Sequence, residues 1–151
     1  MTETVDHATS ERLDLQSRIS ELARVLPWIE RLSSRYSIPD NTQFAMNLCL
    51  EEVLSNVIRH GYGEQPGSIA IHFRAEPGGQ FFFVVEDEAP PFNPVDSPEL
   101  PAISSLDEAQ VGGQGIRLLR QFSDALNYRR TPRGNQLTIG FSSARSVTAN
   151  T

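Results

Sequence analysis

The sequence predicts an α+β fold: a two-layer sandwich in which a mixed, mainly antiparallel sheet carries its helices on one face. Three observations predict it. Two early stretches, Ile19 to Leu32 and Gln43 to Tyr62, repeat apolar residues at helical spacing. Short runs at 12–16, 68–74, 126–130 and 136–141 read as strands, and Phe81 to Val85 is apolar on both faces, as in a central strand. The order strand, helix, helix, strand, strand, loop, helix, strand, strand supplies too few crossovers for a parallel sheet.

Arg12 to Gln16 alternates and opens the fold as a strand. Ile19, Leu22, Ala23, Leu26, Ile29 and Leu32 follow with the period of a helix. Pro27 falls inside that pattern and should kink or split it, because its ring clashes with the preceding turn. Ser37-Ile38-Pro39 ends the segment. Asp40 is placed to cap the next helix, and Gln43 three residues on completes a capping box. Gly61 and Gly63 stop that helix. Ser68 to Arg74 is a strand with Ile69, Ile71 and Phe73 on one face. Glu76-Pro77-Gly78-Gly79 turns into the central strand, which ends at Glu86-Asp87. Ala89 to Val111 has no period and holds five prolines, so it reads as a long functional loop. Gly112-Gly113-Gln114-Gly115 closes it, and Ile116, Leu118, Leu119 and Phe122 form a short helix. Leu126 to Arg130 and Gln136 to Phe141 make a hairpin across Thr131-Pro132-Arg133-Gly134. A single domain over residues 11–141 is expected, with flexible termini at 1–10 and 142–151.

With 151 residues the chain can bury a real core, and 38% hydrophobic with 21% charged residues describes an ordinary globule. A net charge of −6 argues against a general binder of nucleic acid or anionic membrane. Cys49 is the single cysteine, lies on an apolar helix face and reads as core. With no disulfide framework, no signal peptide and no apolar run of about 20 residues, a cytoplasmic protein is expected.

Chemistry concentrates on the central helix. At about 100° per residue, Glu52, Asn56 and His60 climb one ridge. Met46, Cys49, Leu50, Val53, Leu54, Val57 and Ile58 fill the adjoining arc. The polar ridge therefore lies on the shoulder of the apolar face, at the seam between helix and sheet. There a carboxylate can act as a base and an amide oxygen can ligate a hard cation, or the helix can be simply amphipathic. Asp87 at the end of the most apolar strand is either a turn former or a functional carboxylate. The glycines at 112, 113 and 115 precede a helix, where backbone N–H groups and the helix dipole suit a phosphate. The run is neither a P-loop nor a dinucleotide fingerprint.

Taken together, Glu-x-x-x-Asn-x-x-x-His-Gly-Tyr at 52–62, Asp-x-Ala with Pro-Phe-Asn-Pro at 87–94, and Gly-Gly-x-Gly-Ile at 112–116 resemble the Bergerat-fold ATPases. That superfamily includes gyrase, the MutL proteins and the histidine kinases. Within it, the chain looks like the anti-sigma-factor serine kinases of bacterial partner-switching systems, over roughly Leu13 to Phe141. The resemblance implies Glu52 as catalytic base, Asn56 as magnesium ligand and Asp87 as the reader of adenine. It implies Gly112, Gly113, Gly115 and Ile116 on the phosphate side, with Ala89 to Val111 as the ATP lid. His60 matches a position with a structural or pocket-edge role. The middle motif departs from the family: Ala89 stands where Asp-x-Gly has glycine, which adds a methyl and restricts φ. The chain has no lysine; Arg117 and Arg120, beside the glycine turn, can reach phosphates or face solvent or a partner.

The implied activity is magnesium-ATP-dependent phosphorylation of a serine on an anti-anti-sigma (STAS-type) protein, coupled to sequestration of a sigma factor. The alternative is an ATP-binding interaction module with weak or no kinase activity. No direct nucleic acid or membrane partner is implied. The relatives are typically dimers, which leaves a homodimer open. The length leaves no room for the phosphoacceptor domain of a full histidine kinase.

Overall fold

Residues 10–92 and 119–143 are described by the computed structural model. Among the described residues five strands form one sheet: β1 (Ser10–Gln16), β2 (Ser68–Glu76), β3 (Gln80–Asp87), β4 (Ala125–Arg130) and β5 (Asn135–Ser142). Their order is β1-β2-β3-β5-β4, and every neighbouring pair is antiparallel. The sheet is thus antiparallel throughout rather than mixed, because each described strand meets its neighbour through a reversal of direction. β3 is the middle strand, as its apolar run predicts.

A 310 turn (Ile19–Arg24) leads into α1 (Val25–Tyr36), and α2 (Asp40–Asn56) follows. The kink or split predicted from Pro27 takes the form of a split, which falls at Arg24. Pro27 then sits in the first turn of α1, where a missing N–H leaves no intrahelical bond unmade. Ser37 ends α1 in a left-handed conformation, φ 57°. The predicted Asp40 cap is not formed. Pro39 is the residue before the helix, and its carbonyl accepts from Gln43 N–H at 2.8 Å. Asp40 is the first helical residue and makes no side-chain cap bond; its charge there still complements the helix dipole. The strands also reach further than alternation indicates. Ser10 pairs with Arg74 and Ser142 with Gln80, so both residues assigned to flexible ends belong to the sheet.

Burial alternates along the strands. Leu13, Leu15, Ile69, Ile71, Phe73, Phe81, Phe83, Val85, Leu137, Ile139 and Phe141 are buried on one face, against α1 and α2. Phe83 lies at the centre, edge-on to Trp28 at 5.8 Å and to Phe141 at 6.1 Å, and 5.2 Å from Phe73. Cys49 is fully buried in this layer, as its position predicts. The opposite face is mixed, with Phe82 and Val84 of β3 half-buried among polar residues. On it Glu86 meets His72 at 3.2 Å and accepts from Gln136 at 2.8 Å. The apolar face thus fixes where the helices lie.

Candidate functional site

α2 does not run unbroken to its glycine stop. After Asn56 the backbone widens into one π-helical turn, Val57–Gly61, in which Tyr62 N–H reaches back five residues to the Val57 carbonyl at 2.8 Å. Such turns cluster at functional sites. Val57 and Ile58 of this turn are both buried in the core. The turn breaks the predicted ridge: Glu52 and Asn56 share it, whereas His60 lies in the wide turn, exposed, with its ring 6.2 Å from that of Phe92. On the α-helical part, Asn56 Nδ2 donates to Glu52 Oε2 at 3.2 Å, the i, i+4 contact that the helix dictates. A carboxylate only accepts, so this bond turns the Asn56 amide with its NH2 toward Glu52 and its oxygen away. Both side chains are half-buried.

The strand side of the site is built at the end of β3. Asp87 falls on the helix-facing side of the strand and is 7% exposed. Burial pushes its carboxyl above the ordinary range. Opposing that are hydrogen bonds from Asn135 Nδ2 at 2.8 Å and Ala89 N–H at 2.9 Å, both to Oδ1, and the positive charge of Arg130. Ala89 is 1% exposed. Ser37 and Glu64 are the non-glycine residues with positive φ among those described, so Ala89 does not need the backbone freedom of the glycine it replaces. Its methyl packs beside Gly61, where an added Cβ would stand 3.7 Å away.

Tyr62 stitches the two sides together. Its hydroxyl donates to the Ser68 carbonyl at 2.7 Å and accepts from Glu88 N–H at 2.8 Å. The end of the helix that carries Glu52 and Asn56 is therefore tied to the strand end that carries Asp87. Gly112, Gly113, Gly115, Ile116 and Arg117 lie outside the described residues, as does the lid beyond Phe92; Arg120 is exposed.

Sequence reading passes over two residues of this site. One is the tying role of Tyr62. The other is Asn135, 3% exposed, which pairs with Asp87 in register and bonds it through its side chain. A signal exists for it. Asn135 occupies the inward position that Leu137, Ile139 and Phe141 continue, and asparagine is a poor strand former. An amide in that place needs a buried partner.

The chain matches the histidine kinase-like ATPase domain over residues 15–141. It belongs to that family. Among relatives of this ATPase domain, the serine/threonine-protein kinase BtrW of Bordetella bronchiseptica is 29% identical over 136 residues, which cover 89% of this chain and 95% of BtrW. In structure the domain is similar to the blue-light activated histidine kinase EL346 of Erythrobacter litoralis, with a TM-score of 0.55 at 20% identity. That match covers 85% of this chain and 42% of the kinase, so the chain spans less than half of it, and the likeness is one of fold. The donors fit the nucleotide that such an ATPase domain binds. A buried carboxylate is an acceptor for a base, and a half-buried carboxylate–amide pair lies across the seam from it. Among the described residues no helix is long and apolar enough to cross a membrane.

Proposed function

We propose that the chain is an ATP-dependent serine protein kinase that acts as an anti-sigma regulatory factor. Its substrate is a serine of a STAS-type anti-anti-sigma protein, and its second partner is a sigma factor that it sequesters. The motif resemblance supports the partner classes, and the likeness to the serine/threonine-protein kinase BtrW supports the reaction class. The observation that carries the reading is the Glu52–Asn56 pair, tied through Tyr62 to the strand end bearing Asp87.

Asp87 accepts the exocyclic amine of adenine, with Ala89 closing the turn beside it. Asn56, its amide oxygen directed away from Glu52, holds magnesium. Among the described residues no cluster of three His, Cys, Asp or Glu is assembled for a metal. ATP bound there would supply its γ-phosphoryl group and leave as ADP. Glu52 takes the proton from the partner's serine hydroxyl as that oxygen attacks. Gly112, Gly113, Gly115 and Ile116 take the phosphate side.

The test is paired: phosphate transfer to the cognate partner, and magnesium-ATP affinity by calorimetry, for each variant. Glu52→Ala abolishes transfer and leaves affinity within several-fold, because a base acts mainly on the transition state. Asn56→Ala lowers both, because a metal held by Asn56 would support the bound nucleotide in the ground state as well as in transfer. Asp87→Asn weakens adenine nucleotides more than guanine nucleotides. A wild type that binds ATP but transfers nothing to its true partner is instead a binding module. Full transfer by Glu52→Ala removes Glu52 as the base.

A further inference from the structure

One buried side chain is bonded on all sides and stands outside the motifs. Asn135 Nδ2 donates to Asp87 Oδ1 at 2.8 Å and to the Pro90 carbonyl at 3.0 Å, with the Ala89 carbonyl at 3.3 Å. Its Oδ1 accepts from Phe92 N–H at 3.1 Å, from Arg130 Nη1 at 3.3 Å and from the Tyr128 hydroxyl. Acceptors surround one end of the amide and donors the other, so only one orientation satisfies it. Arg130 reinforces the cluster by donating to the Ala89 carbonyl at 2.9 Å.

We propose that Asn135 is a positioning residue of the nucleotide site, holding the Asp87 carboxylate and the chain at 89–92 as one hydrogen-bonded unit. The proposal rests on Asp87 as the base reader. It adds a consequence: base recognition and the first residues beyond β3 share a single anchor, so disturbing one disturbs the other. The amide also opposes protonation of Asp87, because a donated hydrogen bond favours the charged carboxylate. The charged and titratable groups around Asp87 are Arg130 from β4 and Tyr62 from the helix end, with Glu88 next in the chain. β2 contributes Ile69 opposite, which does not titrate.

Two substitutions separate the halves of the anchor. Asn135→Leu removes donors and acceptor at similar volume. Asn135→Asp keeps an oxygen for Phe92 N–H, Tyr128 and Arg130 but sets a second carboxylate against Asp87. Affinity for magnesium-ATP is titrated against pH in the full chain for wild type, both variants and Asp87→Asn. Amide hydrogen exchange is read at Phe92. Loss of binding on the acid side should move to higher pH in both Asn135 variants, about tenfold in affinity for each unit moved. Exchange at Phe92 should rise about five- to tenfold in Asn135→Leu and stay near wild type in Asn135→Asp. A purely structural role lowers affinity equally at every pH and overturns the proposal, as does unchanged exchange at Phe92 in Asn135→Leu. If Asn135→Leu does not fold, Asn135→Asp still decides the pH arm. Asp87→Asn binding ATP as the wild type does would remove the base-reading role itself. Asp87→Asn losing ATP while both Asn135 variants keep the wild-type pH dependence removes only the positioning role.

Discussion

Asp87 is kept where its charged form is least stable in water's absence, and its pKa is raised for that reason. The sign of the consequence follows from proton counting. Between the unfolded and the raised folded pKa the native state holds more protons, so stability falls as pH rises through that window. Above it the buried carboxylate is a standing destabilisation. Asp87→Asn removes the charge and can still accept from Asn135 and Ala89 through its amide oxygen. The variant should therefore be at least as stable as wild type at neutral pH, and the difference should vanish once the medium is acid enough to protonate the wild-type carboxyl. Urea melts at several pH values check this. A gain in stability with a loss of adenine binding is what a strained functional group produces. Glu52 orients the Asn56 amide besides the role as base proposed for it.

At the scale of elements, the site depends on how closely β5 approaches the end of β3. A Cβ built on Gly134 would lie 1.8 Å from the Asp87 carbonyl oxygen and 2.7 Å from Glu88 Cα, both backbone atoms with little freedom to yield. Gly134→Ala should cost about 3 kcal/mol in stability and pull Asn135 out of register with Asp87. Denaturant unfolding measures the first effect; lost exchange protection at Phe92 reports the second. The same element shows what sequence could and could not carry. Strand and helix periods made the layers, the central strand and the Glu52–Asn56 ridge legible, because each is a local repeat. The π turn was not, since the regular helical period already accounts for Val57 and Ile58 and gives no sign of the widening after Asn56. Nor was the Asp40 cap decided locally: extended Pro39 takes the place before the helix. Asn135 meets Asp87 only through pairing of strands 48 residues apart in sequence, which no local pattern contains.

The molecule as a whole hangs on one aromatic cluster beneath α1 and α2. Phe83 is fully buried and touches Trp28, Phe73 and Phe141, which come from α1, β2 and β5. Phe83→Ala should cost about 3–5 kcal/mol, measured by thermal or denaturant unfolding, because partners from three elements cannot all close on the cavity. The sheet order has a further consequence, for biogenesis. On a ribosome β3 follows β2 at once and pairs with it, but the strand that covers its other edge, β5, is the last of the five to be made. Until residues 135–142 leave the exit tunnel, Phe81-Phe82-Phe83-Val84-Val85 is an apolar strand with a bare edge, the kind of segment that recruits another chain. The central position that makes β3 a firm base for Asp87 in the finished protein thus makes it the segment most in need of chaperone cover during synthesis.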